Sequence, residues 1–285
     1  MTNQENYTGW IKWEPNNDEW VELYSEKQIP FQMKENEYLL VYSKEAGELQ
    51  LTSQYCYENG ALRKFSRGSI VAAKGKGREK STIIYPRNDE QVCAFDLMKD
   101  HDKTIKLLTG TWGSGKTLIL VEAALEALRQ GTFERIIWIR NNIDVKDTKD
   151  LGALPGDVLD KLLPFLGPFI DHAGEEEVKS MIERGSLIIE PLQSLRGRNF
   201  ENTLIICSEA ENLTKEHIQL IIARAAAGSE VWFDADSRQR DKAIFEKSKG
   251  IEQMIDKFKG QPLFGYVHLV KSERSATAAM ADLLN

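Results

Sequence analysis

From about residue 85 onward, short apolar runs alternate with longer stretches of helical spacing. The runs are Thr104–Thr109, Ile136–Ile139, Leu187–Ile189, Leu204–Ile206, Val231–Phe233 and Tyr266–Leu269. Ile136–Ile139 is continuous rather than alternating, the pattern of a strand buried on both faces, and the other runs read as further strands. Between them, Leu118–Gln130 is rich in Leu, Ala and Glu and is stopped by Gly131. Val158–Phe165, Lys215–Arg224 (opened by Thr214) and a stretch closed by Met254–Phe258 read as further helices. Strands alternating with helices predict an α/β fold with a parallel sheet covered on both sides.

The chain before Ile70 reads differently. It is rich in Tyr, Phe and Val; Leu39–Tyr42 and Leu49–Thr52 read as short strands, and Asn59-Gly60 is a hairpin-turn signal. Three units are expected: a polar tail at 1–17, a small β-rich N-terminal domain at 18–80, and the α/β domain at 81–285.

Net charge is −7, which excludes a polycation built for nucleic acid but leaves local patches. One such stretch runs from Arg63 to Lys80 and carries Arg63, Lys64, Arg67, Lys74, Lys76, Arg78 and Lys80 against Glu79. It reads equally as a loop touching a polyanion and as a solvated connector. Cys56, Cys93 and Cys207 lack metal spacing, and an odd, sparse set fits a reducing compartment. No apolar run is long enough to cross a bilayer and Met1–Asn17 lacks the core of a secretion signal, so a cytoplasmic protein without membrane contact is expected.

The densest chemistry lies at Gly110-Thr111-Trp112-Gly113-Ser114-Gly115-Lys116-Thr117, which satisfies the pattern G-x-x-x-x-G-K-[ST]. It sits between a strand-like run and a helical one, as a phosphate-binding loop must. Its glycines let successive N–H groups face one cavity, Lys116 would lie on the β- and γ-phosphates, and the Thr117 hydroxyl would take a place on Mg²⁺. ATP and Mg²⁺ are therefore expected. After Leu204–Ile206 comes Cys207-Ser208-Glu209, a Walker B-like strand followed by Glu209, the candidate to polarise the attacking water. Val231–Phe233 leads into Asp234-Ala235-Asp236 with Gln239 close behind, the position of a polar sensor.

In this order the segments resemble the PhoH family of P-loop ATPases, in the branch usually fused behind a PIN nuclease domain. Pro86–Gln91 resembles the family's PRNxEQ motif, Leu154–Asp157 its LPGD and Arg196–Arg198 its RGR; Lys257–Gln261 and Ser272–Ser275 resemble its closing segments. The resemblance covers roughly 84–285. It implies a RecA-like core, ATP hydrolysis, often a hexameric ring of identical subunits, and helicase-like action on RNA or single-stranded nucleic acid. It also makes Gln91 the candidate reader of adenine and Arg274 the candidate arginine finger. With 285 residues, the chain is expected to lack the PIN domain.

The sequence departs from the family where its Arg-Pro is Arg140-Asn141 here, which keeps the cation and loses the rigid turn, and at two points of the nucleotide site. The family's Asp before the Walker B glutamate is Ser208 here, and its Thr-Gly-Asp sensor is Asp234-Ala235-Asp236. Ser208 brings no charge to the metal; Asp234 offers a carboxylate in exchange. Two readings stay open: a working ATPase, and a degenerate nucleotide-binding switch or scaffold without turnover.

Overall fold

The structure is a computed structural model that describes residues 7–72, 82–140 (Arg140 by its backbone alone), 163–236 and 249–273. Its centre is a six-stranded sheet in the order β12-β7-β11-β10-β8-β9. The strands are β7 (Ile105–Gly110), β8 (Arg135–Arg140), β9 (Leu187–Pro191), β10 (Thr203–Cys207), β11 (Glu230–Ala235) and β12 (Phe264–Leu269). Every neighbouring pair is parallel. Successive side chains leave a strand on opposite faces, and the core divides accordingly. Leu108, Trp138, Ile206 and Trp232 pack on one side with α2 (Asp89–Lys99), α3 (Lys116–Gln130), α4 (Gly167–Ala173) and α5 (Glu175–Glu183). Leu107, Ile137, Ile205 and Phe233 pack on the other with α6 (Lys215–Ile222) and α7 (Gly250–Phe258). This is the expected RecA-like α/β arrangement. Of the expected helix at 158–165, residues 158–162 lie outside the described residues, and Leu163–Leu166 forms a 3₁₀ turn leading into α4.

A charged pair lies inside the sheet. Lys106 is fully buried, 2.9 Å from Glu230, with its ammonium over the Trp232 ring. Burial lowers the Lys106 pKa and the Glu230 charge opposes that fall. The pair lies near the strand starts, away from the phosphate loop, and fixes partners rather than doing chemistry.

The N-terminal unit is a second sheet in the order β1-β2-β3-β4. It contains β1 (Trp10–Trp13), β2 (Tyr38–Glu45), β3 (Glu48–Glu58) and β4 (Ala61–Phe65). The Asn-Gly turn joins β3 to β4, with φ of 52° at Asn59 and 77° at Gly60, the geometry those residues favour. The expected polar tail needs correcting. Trp10–Trp13 is a strand paired parallel to β2, and α1 (Asn17–Glu26) begins at a capping box formed by Asn16 and Glu19. A two-stranded ribbon, β5 (Ile70–Val71) with β6 (Ile83–Ile84), leads to α2.

The two units are tied closely. His268 N–H donates to the Thr8 carbonyl at 2.9 Å, and the Trp10 indole donates to the His268 carbonyl at 2.8 Å. Gly9, at φ 80°, lies so close that a Cβ there would sit 1.9 Å from the Tyr266 carbonyl oxygen. The Asn36 amide nitrogen is within hydrogen-bond distance of the carbonyls of Gln261, Pro262 and Phe264, at 3.1, 2.9 and 3.0 Å. Removing it takes two amide protons away from the junction carbonyls, of which Gln261 keeps the Phe264 N–H at 3.1 Å. Asn36→Ala is therefore expected to destabilise the protein by about 2 kcal/mol, read as a lower urea midpoint with an unchanged slope; an unchanged midpoint would contradict this. Arg63, first read within a basic patch, bonds Glu58 at 2.7 Å and Asp96 at 2.8 Å instead. Lys74, Lys76, Arg78 and Lys80 lie outside the described residues. Cys56, Cys93 and Cys207 are buried free thiols. Among the described residues no helix is long and apolar enough to cross a membrane.

Candidate nucleotide-binding site

The phosphate loop joins the end of β7 to the start of α3. Gly110 runs so close to β12 that a Cβ would meet the Leu269 carbonyl oxygen at 2.3 Å. Gly113 and Gly115 have φ of 72° and 92°, a region costly for other residues. Thr111, Trp112, Gly113 and Ser114 make the curl between them; Ser114 is buried, and its hydroxyl donates to the Thr111 carbonyl at 2.8 Å. α3 begins at Lys116 with no side-chain cap and no acid in its first turn. Its leading N–H groups and positive dipole end are thus left for an anion.

Lys116 is held at the mouth of this curl. Its Nζ donates to the carbonyls of Gly110 at 2.6 Å and Thr111 at 3.0 Å, with Asp236 at 4.0 Å. Thr117 Oγ1 donates to Asp234 Oδ2 at 2.8 Å. Asp234 is 3% exposed. Burial pushes its carboxyl above the usual range; hydrogen bonds from Thr117 and Ser208 and the charge of Lys116 pull the other way. A glycine that admits no Cβ at position 110, left-handed glycines at 113 and 115, a bare helix start, a lysine at the mouth and a hydroxyl paired with a carboxylate form a donor set that fits a Mg²⁺–triphosphate.

Glu209 follows β10 and is exposed, with φ 56° and ψ 41°. A non-glycine residue in this left-handed region costs roughly 1–2 kcal/mol. The strain turns the chain sharply at the strand end, bringing Glu209 out of the sheet while Ser208 stays buried. Two residues on, Glu211 is buried and accepts the Asp236 N–H at 2.9 Å, joining the ends of β10 and β11.

Burial raises the Glu211 carboxyl from its usual 4.5 to about 7; the Asp236 N–H opposes the rise, and the charges of Asp234 and Glu209 add to it. The folded state then holds this proton more tightly than the unfolded state between these pH values. Stability should fall as pH rises through that window, by something on the order of 3 kcal/mol for this group. Glu211→Gln should remove that component. Urea midpoints of both proteins at about pH 5 and pH 7.5 check it; a difference between them that does not change with pH would contradict it.

α2 supports the loop from behind. Asn88 caps α2 by accepting the Gln91 N–H, and its amide donates to Glu273 at 2.8 Å. The Gln91 side chain accepts the Arg87 N–H at 2.8 Å and donates to the Ser114 carbonyl at 2.9 Å. Gln91 therefore braces the phosphate loop. After β12 the chain crosses that loop: Glu273 N–H donates to the Gly113 carbonyl at 2.8 Å, and the Ser272 hydroxyl to the Trp112 carbonyl at 3.1 Å. Trp112 is 43% exposed beside this crossing.

The structure brings Gly110–Thr117, Gln91, Ser208, Glu209, Asp234 and Asp236 to one end of the sheet. Gln239, Arg274 and the 154–157 motif lie outside the described residues. Arg198 pairs with Glu190 and lies over the Phe200 ring, so it is engaged structurally. Sequence reading missed Glu211 and the tie from Asn88 to Glu273. The Asn88 cap had a signal, since Asp89 and Glu90 follow it as acids of a first helical turn. A cleft of about 460 Å³ lined by Leu128, Arg129, Phe133, Met181 and Arg184 opens at the far end of α3, away from every one of these groups.

The profile of the PhoH-like protein family matches residues 83–282. The chain belongs to the PhoH-like protein family. It is 33% identical to Protein PhoH2 of Bacillus subtilis over 213 residues, covering 70% of this chain and 48% of that protein. It is 33% identical to Protein PhoH2 of Mycolicibacterium smegmatis over 221 residues, covering 75% and 51%. The chain thus spans about half the length of these PhoH relatives. The solved Pif1 helicase from Candida albicans is 14% identical at a TM-score of 0.36, covering 70% of this chain and 43% of that one.

Proposed function

We propose that this PhoH-like chain binds ATP with Mg²⁺ and hydrolyses it, and that RNA or another single-stranded nucleic acid accelerates turnover. The observation that carries the reading is one arrangement at the β7–α3 junction. Lys116 sits in the mouth of the loop, Thr117 is bonded to a buried carboxylate, and Glu209 is held in a strained turn at the same sheet end. Bound Mg²⁺ supplies charge neutralisation on the β- and γ-phosphate oxygens. The loop N–H groups cradle the phosphates, Lys116 neutralises charge that builds in the transition state, and Glu209 orients the attacking water. Asp236 would sense the γ-phosphate, with Gln239 a second candidate from the sequence alone.

Nucleic acid as partner, a homo-oligomeric ring and a cytoplasmic setting follow from the family resemblance. So does the role of Arg274 as an arginine finger; an adenine contact by Gln91 would require its amide to leave the Arg87 N–H and the Ser114 carbonyl. The test is steady-state phosphate release from Mg-ATP with and without single-stranded RNA. Acceleration by RNA supports coupling, and a rate indifferent to saturating RNA removes it. One observation favours the second reading, a nucleotide-binding switch without turnover: the residue before Glu209 is the uncharged Ser208. Nucleotide binding without any phosphate release would select it.

A further inference from the structure

Ser208 and Asp234 are neighbours across two parallel strands. Cys207 pairs with Phe233, so the next residues, Ser208 and Asp234, stand side by side at the ends of β10 and β11. Both belong to the face that packs on α3, because Ile206 and Trp232, two residues earlier, lie in the core on that face. β11 pairs directly with β7, the strand that enters the phosphate loop, whereas β10 is one strand farther away. A carboxylate moved from 208 to 234 therefore shifts by one strand spacing, about 4.8 Å, toward Thr117. There it meets the Thr117 hydroxyl at 2.8 Å through Oδ2. Its other oxygen, Oδ1, is buried without a hydrogen bond of ordinary geometry.

We propose that Asp234 is the metal-supporting acid of the nucleotide site, carried on β11 in place of the acid that the family pattern puts at position 208. Serine at 208 and aspartate at 234 are then one compensating exchange. The inference rests on the nucleotide reading above and names the residue that holds its cation. Mg²⁺ bound with nucleotide takes most ligands from water and phosphate and needs only one or two carboxylates. That fits a site where, among the described residues, no group of three or more His, Cys, Asp or Glu could hold a metal alone. A buried carboxylate is costly unless donors and cations face it; Thr117, Ser208 and the Glu209 N–H supply the donors. Lys116 supplies part of the positive charge, and a cation on Thr117 would supply the rest.

The experiment measures affinity rather than turnover. A non-hydrolysable ATP analogue is titrated into the full chain with Mg²⁺ and with a chelator, and the ratio of the two dissociation constants is the readout. Asp234→Asn keeps the shape and an acceptor for Thr117 but removes the charge. It should lose most of the Mg²⁺-dependent tightening, roughly tenfold or more, while affinity in chelator stays near wild type. The exchanged protein Ser208→Asp with Asp234→Thr should regain the tightening. That variant also guards against Asp234→Asn failing to fold, and a thermal melt of each protein confirms folding. Full Mg²⁺ dependence in folded Asp234→Asn overturns the inference, as does a folded exchange variant that regains none. A wild-type chain that binds no nucleotide overturns the functional reading and this inference with it. Nucleotide binding that Mg²⁺ does not tighten overturns this inference alone.

Discussion

Lys116→Ala is expected to lower Mg-ATP turnover by about 10²–10³-fold, the usual cost of losing one preorganised group that stabilises transition-state charge. The structure gives the physical reason. The Lys116 ammonium is drawn to the loop's mouth by the Gly110 and Thr111 carbonyls. On the proposed reading it is held at the loop's mouth, close to where charge would develop on the phosphates. The loop is shaped by its glycines and the Ser114 hydroxyl, but Lys116 also ties two of its carbonyls, so an effect on the fold must be measured separately. Phosphate release and a thermal melt on the same preparations separate the two effects. A turnover rate near wild type in the folded variant would mean that the loop does not serve hydrolysis.

Glu209→Gln is expected to cut turnover by about 10²–10⁴-fold while leaving nucleotide affinity close to wild type. The glutamine keeps size and polarity but cannot take a proton or hold a water with the same strength. Because Glu209 is exposed at a strand end rather than packed in the core, the change should not disturb the fold. A companion variant sharpens the argument. Glu209→Gly relieves the left-handed backbone and is expected to raise stability by up to about 1 kcal/mol while turnover is still lost. Stability gained with activity lost marks a residue held in strain for its chemistry. Equal turnover in Glu209→Gln and wild type would place the water-orienting group elsewhere.

Much of the central domain could be read in the sequence because its signals are local. β8, β10 and β11 are apolar runs that only a strand covered on both faces would carry, and Gly110–Thr117 states its own turn chemistry. The parts that were not legible depend on contacts distant in sequence. Trp10–Trp13 is only four residues long and becomes a strand by pairing with β2, some 28 positions later. Arg63 resembles a free basic residue until Glu58 and Asp96 are seen around it. The φ of Glu209 is imposed by how β10 meets the 3₁₀ turn after it, which no residue preference announces. The contact of Thr117 with Asp234 follows from sheet order: β11 lies beside β7, while β10, next before it in sequence among these strands, does not. The sequence offers Asp234 as a substitute carboxylate, and the folded sheet adds that it lies within hydrogen-bond reach of the Thr117 hydroxyl.

The most direct test of the account is phosphate release from Mg-ATP by the purified chain, measured beside Lys116→Ala and Glu209→Gln. The account predicts Mg²⁺-dependent release by the unaltered protein and near-background release by both variants. No release by a folded wild-type protein that still binds nucleotide would contradict it, and would leave a nucleotide-gated switch in its place.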